Sequence, residues 1–259
     1  MSPTTTDSAR SRGVVRRIVQ VMNAFTEQPQ WGVRELAARL EVPKSGLHRT
    51  LQEMAVEHLL SSAEDGSYVA SAELLRLASG LVQSADLTRI AHPHMLAARD
   101  ATHETTLLVA YDDNRRQIIA LDAVASDHPI QFVWAALREW TDLHLSASGK
   151  AILASLPPTD LVNYFATPRV DVKGRPVTLR SMERELRRIR DTGWAITHGD
   201  RIPGTTGVCS PILNGRDRVV GGIVIAWPNR QTSVDEEFIG RTCMEAARAT
   251  SVGLGWLRG

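Results

Sequence analysis

Cysteine is nearly absent from this 259-residue chain. The two present, Cys209 and Cys243, are too few for a multi-disulfide scaffold or a cysteine-based zinc site. Lysine is almost as scarce. Only Lys44, Lys150 and Lys173 stand among the 30 basic residues, and the others are arginines. Against 29 Asp+Glu the formal net charge is +1. That excludes nucleic-acid binding by bulk charge and an acidic tail, though not binding by a small local face. No apolar run approaches the ~18 residues of a membrane span. Residues 1–12, rich in Thr, Ser and Arg, hold no apolar segment of secretory type. A soluble, cytoplasmic protein with a short disordered N-terminal arm and no membrane contact is expected. What is present is ample for folding. With 43% hydrophobic and 23% charged residues, the chain can bury the core of one large domain or two modest ones.

The first periodic stretch runs from Arg12 to Phe25, with Val14, Val15, Ile18, Val19, Met22 and Phe25 at helical spacing. Gln28-Pro29-Gln30 breaks it. A short helix over Val33–Leu40 follows, then the tight link Glu41-Val42-Pro43. A third helix runs over Lys44–Glu57, with Leu47, Leu51 and Met54 on its inner face. Asp65-Gly66 between two short extended runs predicts a hairpin. Helix, helix, tight turn, helix, hairpin is the order of a winged helix-turn-helix, here over residues 10–72. Helices over Glu73–Ser84 and Leu87–His103 come next, the first serving as a linker helix over residues 73–86.

From Thr105 the pattern turns to strands over Thr105–Tyr111, Gln117–Ala125 and Pro129–Trp134. Helices are predicted at Gly149–Ser155, Thr159–Phe165 and Ser181–Thr192. Two late strands, Val208–Leu213 and Val219–Ala226, follow. The second is almost continuously apolar and therefore central. Ser233 with Glu236 makes a capping-box start for a final helix reaching Trp256. Residues 87–259 thus form an α+β domain.

The exposed side of the third helix suits a major groove. Arg49 and Lys44 can pair with guanine edges or phosphates, and His48 and Gln52 can bond base edges. Ser45 at the helix start can hold a phosphate. Arg16, on the first helix, can add a backbone contact, and Arg34 on the second joins this DNA-binding set. Each of these alone is more often plain solvated surface. Their joint order with the turn, the proline and the Asp-Gly wing carries the inference.

The run Gly32-Val-Arg-Glu-Leu-Ala-Ala-Arg-Leu-Glu-Val-Pro-Lys-Ser-Gly-Leu-His-Arg-Thr-Leu51 resembles the N-terminal domain of IclR-type bacterial transcriptional regulators. Leu143-His144-Leu145-Ser146-Ala147-Ser148-Gly149-Lys150-Ala151 is similar to the family's second motif. Gly193-Trp194-Ala195, Pro203-Gly204, Pro211 and Ile223–Pro228 keep its C-terminal order. The resemblance implies a dimeric, often tetrameric, regulator without cofactor. Its winged helix binds operator DNA, and its GAF-like domain binds a small-molecule effector; a symmetric dimer is expected to read a pseudo-palindromic operator. Carried over, the effector-binding positions are Trp134, Ala147, Ser148, Thr197, Gly207, Cys209, Val224 and Ala226. Here the chain departs from the pattern. Thr197 stands where an acid is common, Gly207 where a cysteine is frequent, and Val224 and Ala226 where small polar residues are often found. With Trp134, Trp194 and Trp227 nearby, these exchanges predict a larger, more apolar ligand such as an aromatic acid.

Other chemistries find less support. Ser148-Gly149-Lys150 fails as a phosphate loop, because His144 and Ala151 stand where Gly and Ser/Thr are needed. His92-Pro93-His94 lacks a metal-site spacing. A GAF-like enzyme needs a nucleophile beside a base, and no such cluster is visible. A GAF-like scaffold without a DNA role is opposed by the basic helix face.

Overall fold

The computed structural model describes residues 5–74, 77, 86–126, 139–229 and 235–257, with side chains from residue 13 onward. The chain divides into two compact units, Met1–Val82 and Gln83–Gly259.

The first unit begins with α1 (Thr5–Glu27). It starts seven residues before the predicted Arg12, so a helix replaces most of the expected arm. No proline or glycine lies between Thr5 and Arg12 to stop it. Then come β1 (Gln30–Trp31), α2 (Val33–Arg39), α3 (Lys44–Val56), β2 (Leu60–Ser62) and β3 (Tyr68–Ala70). The α2–α3 turn is closed by Leu40 N–H to Leu36 O at 2.9 Å and Val42 N–H to Ala37 O at 3.1 Å. Glu41 takes a left-handed conformation there, with φ 54°. Val21, Leu36, Leu47, Leu51, Met54 and Leu60 form the core. The indole of Trp31 joins it and donates to Ala24 O at 2.9 Å. The three strands pair antiparallel in the order β1-β3-β2, which makes the wing. The predicted linker helix falls almost wholly on residues outside those described.

The second unit is built on a six-stranded antiparallel sheet. Its strands are β4 (Thr105–Asp112), β5 (Gln117–Val124), β6 (Thr141–Asp142), β9 (Ala195–His198), β10 (Thr205–Leu213) and β11 (Val219–Pro228), in the order β6-β5-β4-β11-β10-β9. β11 is central, as its apolar run predicts. Side chains alternate across the sheet. Leu107, Val109, Cys209 and Val224 point to one face, where α5 (Ala147–Ser155), α6 (Pro158–Phe165) and α7 (Leu179–Thr192) cover them. Leu108, Val208, Ile223 and Ile225 point to the other, under α4 (Asp86–Thr102) and α8 (Glu236–Gly253). A small hairpin, β7 (Arg169–Val170) with β8 (Pro176–Val177), lies between α6 and α7. The predicted strand Pro129–Trp134 lies outside the described residues. α8 is capped by Asp235, whose carboxylate accepts Phe238 N–H at 3.0 Å; Ser233, the expected cap, lies outside the described residues. The sheet with helices on both faces fits a GAF-like domain.

One glycine fixes the placement of α5. A Cβ on Gly149 would lie 2.1 Å from Leu143 O, so only glycine lets the helix meet the 3-10 turn Leu143–Leu145 this closely.

Candidate functional site

Two surfaces gather chemistry, one in each unit. In the first unit the inner residues of α3 fill the core and leave Lys44, Ser45, His48, Arg49 and Gln52 exposed. Arg49 pairs with Glu53 at 2.9 Å, one turn along the helix, with its side chain 81% exposed. Arg34 is exposed on α2, and Arg16 on α1. Arg17 behaves differently. Its guanidinium donates to Gly46 O at 3.5 Å and packs on the start of α3. Arg34, Lys44, Ser45 and His48 line one open groove with Gln30, Glu35 and the wing turn. Arg16, Arg49 and Gln52 lie outside that groove on the same unit.

The wing turn is the part sequence reasoning left without a role. Asp65 accepts hydrogen bonds from Ser67 N–H at 2.9 Å and from the Ser67 hydroxyl. Its other oxygen accepts from Gln30 Nε2 at 3.0 Å. The Ser67 hydrogen bonds hold the Asp65 carboxyl below its usual pKa. The groove therefore has a cationic wall on α3 and an anionic one on the wing.

In the second unit a cleft opens beside the start of α5. Leu107, Gly207, Val224 and Ala226 form its sheet side, with Thr197 from β9. Ser146, Ala147 and Ser148 form the helix side, and Gly199, Asp200, Arg201 and Ile202 the rim. Gly207 pairs in register with Ala226 on one side and Thr197 on the other. A Cβ there would meet nothing within 4 Å, so the missing side chain adds room to the cleft. Ser146 caps α5 by accepting Gly149 N–H at 3.3 Å, and its hydroxyl bonds that of Ser148 at 3.0 Å. Thr206 is engaged with Asn229 at 2.6 Å.

Six of the eight expected effector positions meet here: Ala147, Ser148, Thr197, Gly207, Val224 and Ala226. Cys209 does not. It shares the sheet face of Gly207, but two residues further along it is fully buried in the core. Burial pushes its thiol well above the ordinary pKa, so it is a packing residue. Trp194 and Trp227, expected near the ligand, pack on the opposite sheet face with α8. Strand alternation sends Trp227 there, and Trp194 immediately precedes β9. Trp134 lies outside the described residues.

Arg201 is the lining residue the sequence did not disclose. Burial lowers the pKa of its guanidinium, and the charge of Glu139 works the other way. Lys150 lies just behind the rim, 8% exposed. Its ammonium donates to Asp200 Oδ2 at 2.7 Å and Glu185 Oε1 at 2.9 Å. Burial acts to lower its pKa, but the two carboxylates outweigh burial and hold it above the ordinary value.

Comparison with known proteins decides the kind of molecule. Residues 14–62 match the IclR helix-turn-helix domain, and residues 79–252 match the bacterial transcriptional regulator IclR C-terminal domain. The chain belongs to the IclR family. It is a DNA-binding transcriptional regulator with a C-terminal effector-binding domain. This IclR protein is 27% identical to the "Probable HTH-type transcriptional regulator ArcR" of Halobacterium salinarum, over 95% of its own length and 97% of the relative's. It is 24% identical to the regulator KdgR of Dickeya chrysanthemi, over 86% and 73%. Its fold matches the IclR structure of Thermotoga maritima with a TM-score of 0.76 at 23% identity, covering 95% of this chain and 100% of that one. It also matches an IclR homolog from Microbacterium hydrocarbonoxydans, crystallised with 4-hydroxybenzoate, with a TM-score of 0.77 at 23% identity over 93% and 98%. The relatives are transcriptional regulators, which does not favour the enzyme or scaffold alternative. Among the described residues, no helix is long and apolar enough to cross a membrane.

Proposed function

We propose that this IclR regulator acts in the cytoplasm as a homodimer, or a homotetramer of such dimers, on a pseudo-palindromic operator. Residues 10–72 read one half-site each, residues 73–86 link them to the sensor, and residues 87–259 bind the effector. Lys44, Ser45, His48, Arg49 and Gln52 enter the major groove of the DNA, and Arg16 and Arg34 contact its backbone. Effector binding changes operator affinity, for which a coupling of about 1–3 kcal/mol suffices.

The effector we infer is an apolar carboxylate, preferably aromatic. The observation that carries this is the cleft lining: Leu107, Val224, Ala226 and the bare Gly207 on the sheet side, with the half-buried Arg201 at the rim. An apolar body fits the sheet side, and an anion fits the guanidinium. The 4-hydroxybenzoate in the Microbacterium homolog is a ligand of that chemistry. The buried positions of Trp194 and Trp227 remove one reason for an aromatic ligand, and the lining keeps the other. Thermal-shift measurements with benzoate and 4-hydroxybenzoate against pyruvate and glyoxylate test this. Stabilisation by the aromatic acids is expected. Stabilisation by the short keto-acids alone overturns it. Gel shifts on upstream genomic DNA at increasing salt test the DNA reading, and binding that weakens steeply with salt supports it.

A further inference from the structure

The cleft rim between β9 and β10 is held by an ion pair whose cation sits outside the cleft. β9 ends at His198 and β10 begins at Thr205. The connecting segment starts on Gly199 and ends on Gly204, both with positive φ (81° and 80°), where the backbone is free to turn. It supplies Asp200, Arg201 and Ile202 to the cleft. Asp200 also lines a second, polar hollow behind the segment, with Lys150, His144, Lys173 and Glu185. The segment is thus the wall between two spaces. Across it, Lys150 reaches from α5, the same helix whose first turn forms the cleft's far side.

Lys150 is 8% exposed, and a charge that deep is costly unless paired. Its two partners differ in what they anchor. Glu185 stands on α7, a packed helix. Asp200 stands on the segment, 41% exposed. The Lys150–Glu185 bond ties helix to helix, and the Lys150–Asp200 bond ties the segment to a helix.

We propose that Lys150 is the positioning residue of the effector cleft: through Asp200 it holds the Gly199–Gly204 segment closed over the cleft. This rests on reading the cleft as the effector site. Lys150 touches no ligand in this role. It sets the fraction of time the rim stands closed, and with it the position of Arg201 and Ile202. Local opening of this kind is a property of the segment alone, independent of global unfolding.

Arg201 itself provides the readout, because trypsin cleaves the Arg201–Ile202 bond only when the segment opens. The full-length protein is digested in its native state. Each rate is divided by that of a synthetic peptide spanning residues 196–206 of the same variant, which removes the effect of the neighbouring side chain. Asp200→Ala and Lys150→Met are expected to raise the normalised rate about tenfold or more, and Glu185→Gln to leave it within about threefold of wild type. Wild-type rates in Asp200→Ala overturn the proposal. So does acceleration by Glu185→Gln equal to that by Asp200→Ala, which marks the cluster as a general brace. Asp200→Ala leaves Lys150 paired with Glu185, so it decides the matter even where Lys150→Met does not fold. Benzoate thermal shifts on the wild type are run in parallel. Their failure counts against the effector reading, while the cleavage rates still decide the tether.

Discussion

Arg49 is restrained by Glu53 in the DNA-free protein, and both side chains are more than half exposed. An exposed pair at this spacing contributes only about 0.3–0.5 kcal/mol, so DNA can take the guanidinium at little cost. Arg49→Ala is expected to weaken operator binding by about 1–3 kcal/mol if the side chain reads a base, with less loss on unrelated DNA. Titration of both duplexes checks this, and equal loss on the two would make Arg49 a phosphate contact. At this scale the sequence was legible where chemistry is local. The α3 face follows from helical spacing alone. Arg201 was not legible, because its neighbours in the cleft, Ser148 and Val224, lie far along the chain. Lys150 shows the same limit. Its partners are 35 and 50 residues away, and nothing in the run Ser-Gly-Lys-Ala announces them.

Among the elements, the wing is the one whose charge departs most from what a DNA-binding surface needs. Its turn carries Glu64 and Asp65 and no base. Asp65 lines the same groove as Lys44 and His48. A phosphate strand laid in that groove meets cations on one side and a carboxylate on the other, which lowers affinity for DNA of any sequence. Glu64→Lys, which leaves the Asp65 turn intact, is expected to strengthen binding to a random-sequence duplex about threefold or more. The log–log salt slope should steepen by about 0.9. Weaker binding would show that the wing carboxylates help. The elements also show why some boundaries escaped. β1 is two residues long, too short for alternation to register. Ser233 and Asp235 both offer an oxygen before α8, and sequence pattern alone favoured the wrong one. The stretch from Thr5 to Ser11 reads as polar coil by composition, yet it holds no proline or glycine to forbid a helix.

Among the described residues the buried clusters are one in the first unit and a pair flanking the sheet in the second. Unfolding as a single two-state event is therefore not expected. Calorimetry is expected to resolve two transitions. The second unit is about twice as long as the first, so its enthalpy should be about twice as large. A stabilising acid at about 100 times its dissociation constant should add about 2.7 kcal/mol to the larger transition and leave the smaller unmoved. A single transition shifted as a whole would show that the units unfold together. Charge is divided unevenly along the chain. Residues 10–60 hold a surplus of three positive charges, while residues 71–259 are nearly neutral.

The central place of β11 also sets the order in which the protein can come into being. The β4–β5 hairpin has its long inner neighbour only when residues 219–228 have been made. The wing closes with β3 at Ala70, about 150 residues earlier. At the roughly 5–20 residues per second of synthesis, the DNA-binding unit is complete about 7–30 s before the sensor sheet can close. A nascent chain therefore carries an operator-reading head before it has anything with which to sense an effector. During that interval the apolar edge of β4 is the surface most in need of a chaperone.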